Sequence, residues 1–426
     1  MEANADQFAS GKADWQTTSI KHEWIHGRIY TTCGFLDDAA ADQTAGVVSS
    51  TFVQNGRILS PRANECRPGE SPPSRATLKE GDLAVVLVRR VGDSALVTAD
   101  HAGCRATRSI GIIRAEPHIV RWLRIWLQTP TAKARIDEDV TAHVEPTISL
   151  DTLHRMPFPL PPPDVISAYH RAFGLIEEMT ALYKETARKA VDLADALHDD
   201  WASTMPPWET RPLAKVAKAK TGQGSERSLP PLPTEPITDV TDVIAPKDLY
   251  DLPVPHVQRF RLNSPGNDGE AHPPGTLMLS TRSDGAHIAV PRRPATPLRG
   301  VVAVRPIEDE DGWWLLHELR SRSSDIARLA QGQNGREISA RALKRLEVTW
   351  PDQFTRTEFH TMAGPLHAVM RLLVAKIATL HSLRDALLHD ISAKAGVLRE
   401  PTAEPEEQGT PAPAHRGPAP RRHDRR

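Results

Sequence analysis

Three cysteines among 426 residues, Cys33, Cys66 and Cys104, are an odd number at wide spacing with no Cys-x-x-Cys pair. That excludes a disulfide-dense small scaffold and a zinc ribbon, and a reducing, cytoplasmic setting is the expectation. An excess of charge of one sign is also missing. Lys and Arg number 53 against 54 Asp and Glu, interleaved along the chain, for a net charge of −1. A chain that grips phosphates alone needs a basic face to gain from counterion release, so partners must supply that charge if nucleic acid is bound. Long apolar runs are scarce: Leu83–Val88 has strand length and falls far short of a bilayer span. The opening MEANADQFASGK is polar and carries acids where a secretion signal needs basic residues and then an apolar core, so it is expected to stay on the mature protein. No loop ends in Gly-Lys-Ser/Thr and no Gly-x-Ser-x-Gly elbow occurs, so nucleotide-driven and acyl-transfer chemistry lack their parts. His22 and His26 have helical i, i+4 spacing with Cys33 nearby, but without a paired thiolate they read as surface histidines, and no metal is expected.

What is present is a repeat. Ile148-Ser149-Leu150-Asp151-Thr152-Leu153-His154-Arg155-Met156 aligns with Ile338-Ser339-Ala340-Arg341-Ala342-Leu343-Lys344-Arg345-Leu346 at a constant offset of 190 residues. The offset continues without a gap through Phe158/Val348, Leu160/Trp350 and Pro161/Pro351 to Asp195-Ala196-Leu197/Asp385-Ala386-Leu387 and Trp201/Ile391. Upstream the match loosens: Trp15-x-Thr17 against Trp208-x-Thr210, Gly81-x-Leu83 against Gly275-x-Leu277, and Arg108 against Arg299. An ungapped register of this length points to duplication rather than to two ordinary helices that happen to look alike.

Each copy opens with short β-branched runs bounded by Gly, Pro and Asp, which are strand signals: Leu83–Val88 and Ile110–Ile113, then Thr276–Leu279 and Val301–Val304. Shorter helices are expected at Pro117–Leu127 and Trp313–Leu329. A proline stop at Pro157–Pro163 precedes Asp164, which caps a long helix to about Trp201. Its apolar positions, Ile166, Tyr169, Phe173, Ile176, Thr180, Tyr183, Ala187, Ala190, Ala194, Leu197 and Trp201, alternate spacings of three and four, the pattern of a helix packed along a partner. The second copy repeats the stripe with Phe359, Met362, Leu366, Val369, Leu373, Leu380, Leu383 and Leu387; Lys376 interrupts it, and Gly364-Pro365 is expected to delay the helix start. Such a helix spans roughly 55 Å at about 1.5 Å per residue, longer than a small globule is wide. The helix–helix seam is therefore placed at Ile166, Phe173, Ile176, Tyr183, Leu197, Leu366, Leu373, Leu380 and Leu387.

The expected fold class is α/β (α+β), two tandem globules joined by two long antiparallel coiled-coil helices with an internal pseudo-two-fold repeat. The segments are 1–163, a first globule; 164–203, a first spacer helix; 204–355, a second globule; 356–398, a second spacer helix; and 399–426, a tail rich in Pro, Glu, Gly and Arg that reads as disordered. Ala202–Pro207 reads as the linker between copies, and Gly222–Pro236 as a flexible loop.

Globule, proline stop and long helix, repeated once, resemble the specificity subunit of type I restriction-modification systems. The residues that carry the likeness are Gly81-Asp82-Leu83 opening an apolar strand, Ile148-Ser149 through Leu153, the run Met156-Pro157-Phe158-Pro159-Leu160-Pro161-Pro162 before the helix, and Trp208-Glu209-Thr210 followed by Leu213. Departures are Asp164-Val165-Ile166 where the family often has an acidic-glutamine pair, a second copy that keeps only Pro351 of the prolines, and Gly275-Thr276 in place of Gly81-Asp82. The resemblance implies a non-catalytic subunit that reads double-stranded DNA at a bipartite site and docks DNA methyltransferase (modification) subunits and a restriction/translocase subunit, with no membrane partner. S-adenosylmethionine, ATP and Mg²⁺ then belong to those partners, and this chain binds none. Consistently, a methyltransferase acting on adenine needs a glycine-rich cofactor loop and Asn or Asp before Pro-Pro-aromatic; Met205-Pro206-Pro207-Trp208 lacks the amide or carboxylate and reads as punctuation.

Two heads on a rigid spacer suit two half-sites about 34 Å, one DNA turn, apart. Base reading calls for side chains that enter a groove, Arg to guanine above all, although most contacts go to phosphate. The candidates beside strands are Arg89, Arg90, Arg105 and Arg108 in the first copy and Lys218, Lys220, Arg282, Arg292 and Arg293 in the second. Two rival readings are a coiled-coil scaffold without DNA specificity and the detached recognition part of a fused methyltransferase-nuclease.

Overall fold

The computed structural model describes residues 15–27, 29–34, 46–54, 56–59, 75–141, 145–204, 208–224, 242–250, 252–257, 269–281, 287–330 and 337–396. The expected linker end at 205–207, most of the 222–236 loop, the 399–426 tail, Cys66 and Arg282 lie outside the described residues. The chain divides into two compact units, one formed by residues 1–171 with 387–426, the other by 172–386.

In the first unit the elements are β1 (Gln16–Ser19), α1 (Ile20–Ile25), β2 (Ile29–Cys33), β3 (Val47–Val48), β4 (Val53–Gln54), β5 (Arg57–Ile58), β6 (Leu83–Val86), β7 (Ser94–Leu96), β8 (Arg105–Ala106), β9 (Ile110–Ala115), α2 (Pro117–Trp126), α3 (Pro130–Glu138), α4 (Leu150–Arg155) and β10 (Pro157–Leu160). The main sheet is antiparallel in the order β2-β9-β6-β7, with β3 and β8 paired in parallel beside it. Ala84, Val86, Ile110 and Ile112 fall on alternate positions and share one core with Val48, Val97 and Cys104, as a period of two requires. Pro117 occupies the first turn of α2, where its missing N–H costs nothing; from there the helix buries Trp122, Leu123 and Trp126, and Trp122 Nε1 donates to the Pro159 carbonyl. Ser149 caps α4 by accepting from the Thr152 N–H at 2.9 Å. Cys33 is a free thiol, whereas Cys104 is disulfide-bonded, contrary to what the wide cysteine spacing suggests.

The long helix α5 runs over Pro163–Thr204 and is followed by β11 (Thr210–Pro212), α6 (Leu213–Val216), β12 (Ala217–Thr221), β13 (Asp242–Ile244), β14 (Leu277–Ser280), β15 (Ile288–Ala289), β16 (Ala295–Pro297), β17 (Val301–Pro306), α7 (Gly312–Ser321), α8 (Ser323–Arg328), α9 (Ala340–Leu343), β18 (Glu347–Thr349) and α10 (Gln353–Gly396). In the second unit the sheet order is β12-β17-β14-β15, with β13 and β16 paired in parallel and β11 paired with β18. The first unit has the same plan with one pair more, β4 with β5. Gly34 after β2 and Gly222 after β12 even meet the same obstacle: a Cβ would lie 2.0 Å from the Thr107 carbonyl oxygen in one and 2.3 Å from that of Leu298 in the other.

Several expectations need correction. Pro157–Pro163 is more than a stop, since Pro157–Leu160 is a strand paired with β1, Thr17 opposite Pro159 and Ser19 opposite Pro157; a two-stranded edge tolerates residues without an N–H. Trp313–Leu329 is two helices, divided at Arg322. Gly364-Pro365 does not delay the second long helix, which begins at Gln353 and continues through Pro365. A helix-interior proline costs about 3 kcal/mol, offset here because Phe359, Ala363, His367 and Met370, on either side of it, are fully buried.

The second stripe is also shifted. Met362, Val369 and Leu383 are exposed, while Met370, Val374, Ile377, Leu388 and Ile391 are buried. The buried face follows Phe359, Ala363, Leu366, Met370, Leu373 and Ile377 at spacings of four and three. Of the expected stripe, Phe359, Leu366 and Leu373 lie on this face, whereas Met362 and Val369 fall one position short of Ala363 and Met370.

Within the second unit, Ala187, Ala190, Val191 and Ala194 of α5 pack with Met370, Leu373 and Val374 of α10, joined by half-buried Tyr183 and Leu366. The alanines permit close approach of the two backbones. Closer to the sheet, half-buried Leu197 and Trp201 join Phe359, Ala363, Trp314 and the strand residues Leu277 and Val304 in one core. Of the remaining seam candidates, Ile166, Phe173 and Ile176 are buried and Leu380 and Leu387 half-buried. In the first unit, Tyr169 near the start of α5 donates to Asp390 on α10 at 2.7 Å and accepts from Lys394 at 3.0 Å.

By length and a mean hydropathy of 1.3 over 18 residues, Gln353–Ala395 is long and apolar enough to cross a membrane. It is longer than Leu83–Val88, the stretch expected to be among the longest apolar ones. Its Met370, Leu373 and Val374 are packed against α5.

Candidate nucleic-acid interface

In the first unit Arg89 and Arg90 occupy the turn between β6 and β7. Arg89 is the one non-glycine residue with positive φ (70°) among the described residues; it donates to Glu145 at 2.7 Å, both side chains being more than half exposed. Arg90 turns inward instead, donating through Nη2 to the carbonyls of Ser50 at 2.7 Å and Val53 at 2.9 Å. The Ser50 N–H donates to Ser109 Oγ at 3.1 Å, which ties the turn carrying Arg108 to the same end of the sheet. Arg108 is exposed and Arg105, on β8, is half-buried. The structure thus brings Arg89, Arg90 and Arg108 to one rim, with Arg90 serving as its framework.

In the second unit Lys218 and Lys220 point from the same face of β12, an outer strand of the sheet. Lys220 forms an ion pair with Glu270. Lys218 stands opposite Arg305 of β17, a residue that sequence reasoning missed; its alternation within Val301–Pro306, where it alone is exposed, was the available signal. Arg305 lies 3.6 Å from Asp309. His272 is nearby: burial first, then Lys220 and Arg305, hold its pKa below the ordinary value. Lys220, Glu270, His272, Gly222, Gln223 and Pro297 line a small cavity of about 170 Å³.

Arg292 and Arg293 lie between β15 and β16. Arg293 donates to the buried Asp242 carboxylate at 2.9 and 3.3 Å, and burial pushes that carboxyl up against the opposing pull of Arg293. Arg293, like Arg90, is anchored by these bonds while its side chain stays exposed, and Arg292 beside it is exposed as well. Positions matching Lys218 and Arg305 in the first unit hold Tyr30 and Arg114, also cross-strand partners. There Arg114 donates bidentately to Asp82 at 2.7 and 2.6 Å and sits 5.8 Å from the Tyr30 ring centroid. The two sheets share a plan and differ in the chemistry they display.

Among the described residues no cluster of His, Cys, Asp and Glu is arranged to hold a metal ion. His22 and His26 are exposed, with ring centroids 4.5 Å apart.

No protein-family model and no curated protein matches the chain. Solved structures are similar to it, among them the following three. The type I restriction-modification S subunit from M. genitalium superposes with a TM-score of 0.50 at 13% identity, over 90% of this chain and 97% of that one. A chain from a study of complex assembly and conformational transition of the type I R-M system gives 0.42 at 19% identity, over 90% and 98%. The HsdS subunit from Thermoanaerobacter tengcongensis gives 0.33 at 18%, over 88% and 96%. The mixed helix-and-sheet fold of this chain is that of the M. genitalium S subunit, so the resemblance read from the sequence landmarks is matched in three dimensions.

Proposed function

We propose that this chain is the DNA-recognition subunit of a type I restriction-modification complex and is not itself an enzyme. The observation that carries the reading is the strand plan repeated on either side of a 42-residue helix, in a chain whose fold is that of an S subunit. On this reading residues 1–163 and 204–355 are two target-recognition domains, and α5 and α10 form an antiparallel coiled-coil spacer. Each head reads one half of a bipartite site, and the gap between the halves follows from the spacer.

The rim of Arg89, Arg90 and Arg108, half-buried Arg105 on β8, and the strand face of Lys218, Lys220 and Arg305, with Arg292 and Arg293, supply phosphate and base contacts. Arg90 and Arg293 are held in place by their bonds to the Ser50 and Val53 carbonyls and to Asp242 and remain exposed on those surfaces. A near-zero net charge fits a subunit that surrounds the duplex only with its partners. Leu175, Met179, Leu182 and Leu193 on α5, and Met362, Val369 and Leu372 on α10, are exposed apolar side chains, suited to docking the methyltransferase and restriction subunits. S-adenosylmethionine, ATP and Mg²⁺ are bound by those partners, and the assembly is cytoplasmic.

The test is methylome sequencing of cells carrying this chain with its modification subunit, before and after exchange of residues 206–350 for those of a second such chain. One half of the methylated motif changes and the other stays. An unaltered motif, or one altered in both halves, refutes the assignment of one head to each half-site.

A further inference from the structure

The second unit buries a row of ionisable groups that base reading does not use. His317 Nδ1 on α7 donates to Asp195 on α5 at 2.6 Å. His317 Nε2 lies 3.0 Å from Nε2 of His367 on α10, and His367 Nδ1 lies 3.1 Å from Nε2 of His256. His256 belongs to the loop 252–257, so four separate elements contribute. All three histidines are at most 1% exposed. At its outer end the row meets a cavity of about 340 Å³ lined by Asp195, Asp199, His317, Arg320, Ser321 and Ser323. At its inner end His256 Nδ1 is buried without a partner among the described residues.

The proton inventory of this row is fixed. A carboxylate only accepts, so His317 spends its single N–H on Asp195 and its Nε2 must accept. His367 then donates through Nε2 and accepts at Nδ1, and His256 donates through Nε2. Every link is satisfied by three neutral rings, and the one lone pair left over is the buried Nδ1 of His256. In this arrangement a proton on any other ring nitrogen sets two N–H groups against each other, and one on His256 Nδ1 keeps the links but leaves a charge buried near Arg371.

The surroundings oppose a charge. Burial above all, then Arg371 and His317, brings the His256 pKa down to about 3; burial, then His317, His256, Arg371 and Arg320, lowers that of His367 further. His317 is lowered by burial despite the pull of Asp195, with Arg320 and His198 adding to the effect. Asp195 is pushed up by burial, yet hydrogen bonds from His317 and Arg320 leave it well below the ordinary carboxylate range. The remaining groups here are Trp313, stacked on His367 at 3.7 Å, and the Glu318–Arg322 pair against His198.

We propose that this row is an acid-sensitive fastener, which holds loop 252–257 and α7 onto α5 and α10 while its three histidines are neutral and releases them when one takes up a proton. The sign follows from linkage. An opened histidine titrates near 6.5 and a fastened one lower, so the fastening is fully present above about 6.5 and is lost as pH falls below it. Each histidine that titrates on release raises the open population about tenfold between pH 7.5 and 5.5. Asp195, low in the folded state, stabilises the row throughout this range and loses that contribution only as pH falls through the carboxylate range.

Hydrogen exchange of the full chain, with rates corrected for intrinsic pH dependence, tests this without DNA and so independently of the reading above. At pH 5.5 protection in α7 and in residues 363–371 falls at least tenfold relative to pH 7.5 and recovers on return, while β6 and α2 of the first unit are unchanged. His256→Gln retains a donor toward His367 but cannot titrate, and reduces the pH response by about tenfold if all three histidines contribute. Equal protection at the two pH values, or an equal loss in both units, overturns the proposal even if the variant fails to fold.

Discussion

Replacing Asp82 by alanine removes the acceptor that ties the start of β6 to β9. The carboxylate is 2% exposed and accepts from Arg114 Nε and Nη2 at 2.7 and 2.6 Å and from the Lys79 N–H at 2.8 Å. Breaking a fully buried pair by removing one member costs about 3–5 kcal/mol. The Arg114 side chain is 28% exposed and regains some water, so about 3 kcal/mol is expected. For a unit of this size that lowers the melting temperature by about 6–12 °C. The second unit supplies an internal control: its matching Thr276 is buried with a hydroxyl that has no partner among the described residues, and Thr276→Val is expected to cost less than about 0.5 kcal/mol. Urea unfolding followed by tryptophan fluorescence, in a double-mutant cycle with Arg114→Ala, reads the coupling directly. A coupling below about 0.5 kcal/mol, or equal losses for Asp82→Ala and Thr276→Val, refutes the assignment of the Gly-Asp landmark to this ion pair.

Two further outcomes are expected. Gly222→Ala places a methyl group 2.3 Å from the Leu298 carbonyl oxygen, where backbone must move, and destabilises the second unit by about 1–3 kcal/mol; an unchanged urea midpoint contradicts the close approach. Tyr169→Phe deletes the hydroxyl shared by Asp390 and Lys394 and costs about 1 kcal/mol, reduced because those two remain paired at 2.8 Å; an unchanged melting temperature shows that the shared hydroxyl contributes nothing to holding the end of α10.

The sheet strands were legible because Leu83–Val86 and Val301–Val304, buried throughout, stand in the sequence as short continuous apolar runs bounded by turn residues, and the repeat register places both long helices. Less legible was which ridge of α10 is buried. Met362, Val369 and Leu383 are as apolar as their buried neighbours, and the choice is made by the alanines of α5, which admit Met370 and Val374. Of the interface candidates, Arg90 and Arg293 illustrate the limit of local pattern. Both flank strands and are exposed, and the bonds that orient them go to Ser50, Val53 and Asp242, residues up to 51 positions away in the chain. The histidine row was invisible for the same reason, since its members are separated by between 50 and 122 residues.

The last turns of α10, from Leu387 onward, are counted with residues 1–171. During synthesis the amino-terminal unit must therefore wait, with Ile391 and its neighbours still to come, until everything between has left the ribosome. The unit made first is the one finished last, and an incomplete chain lacks the segment on which its earliest part closes.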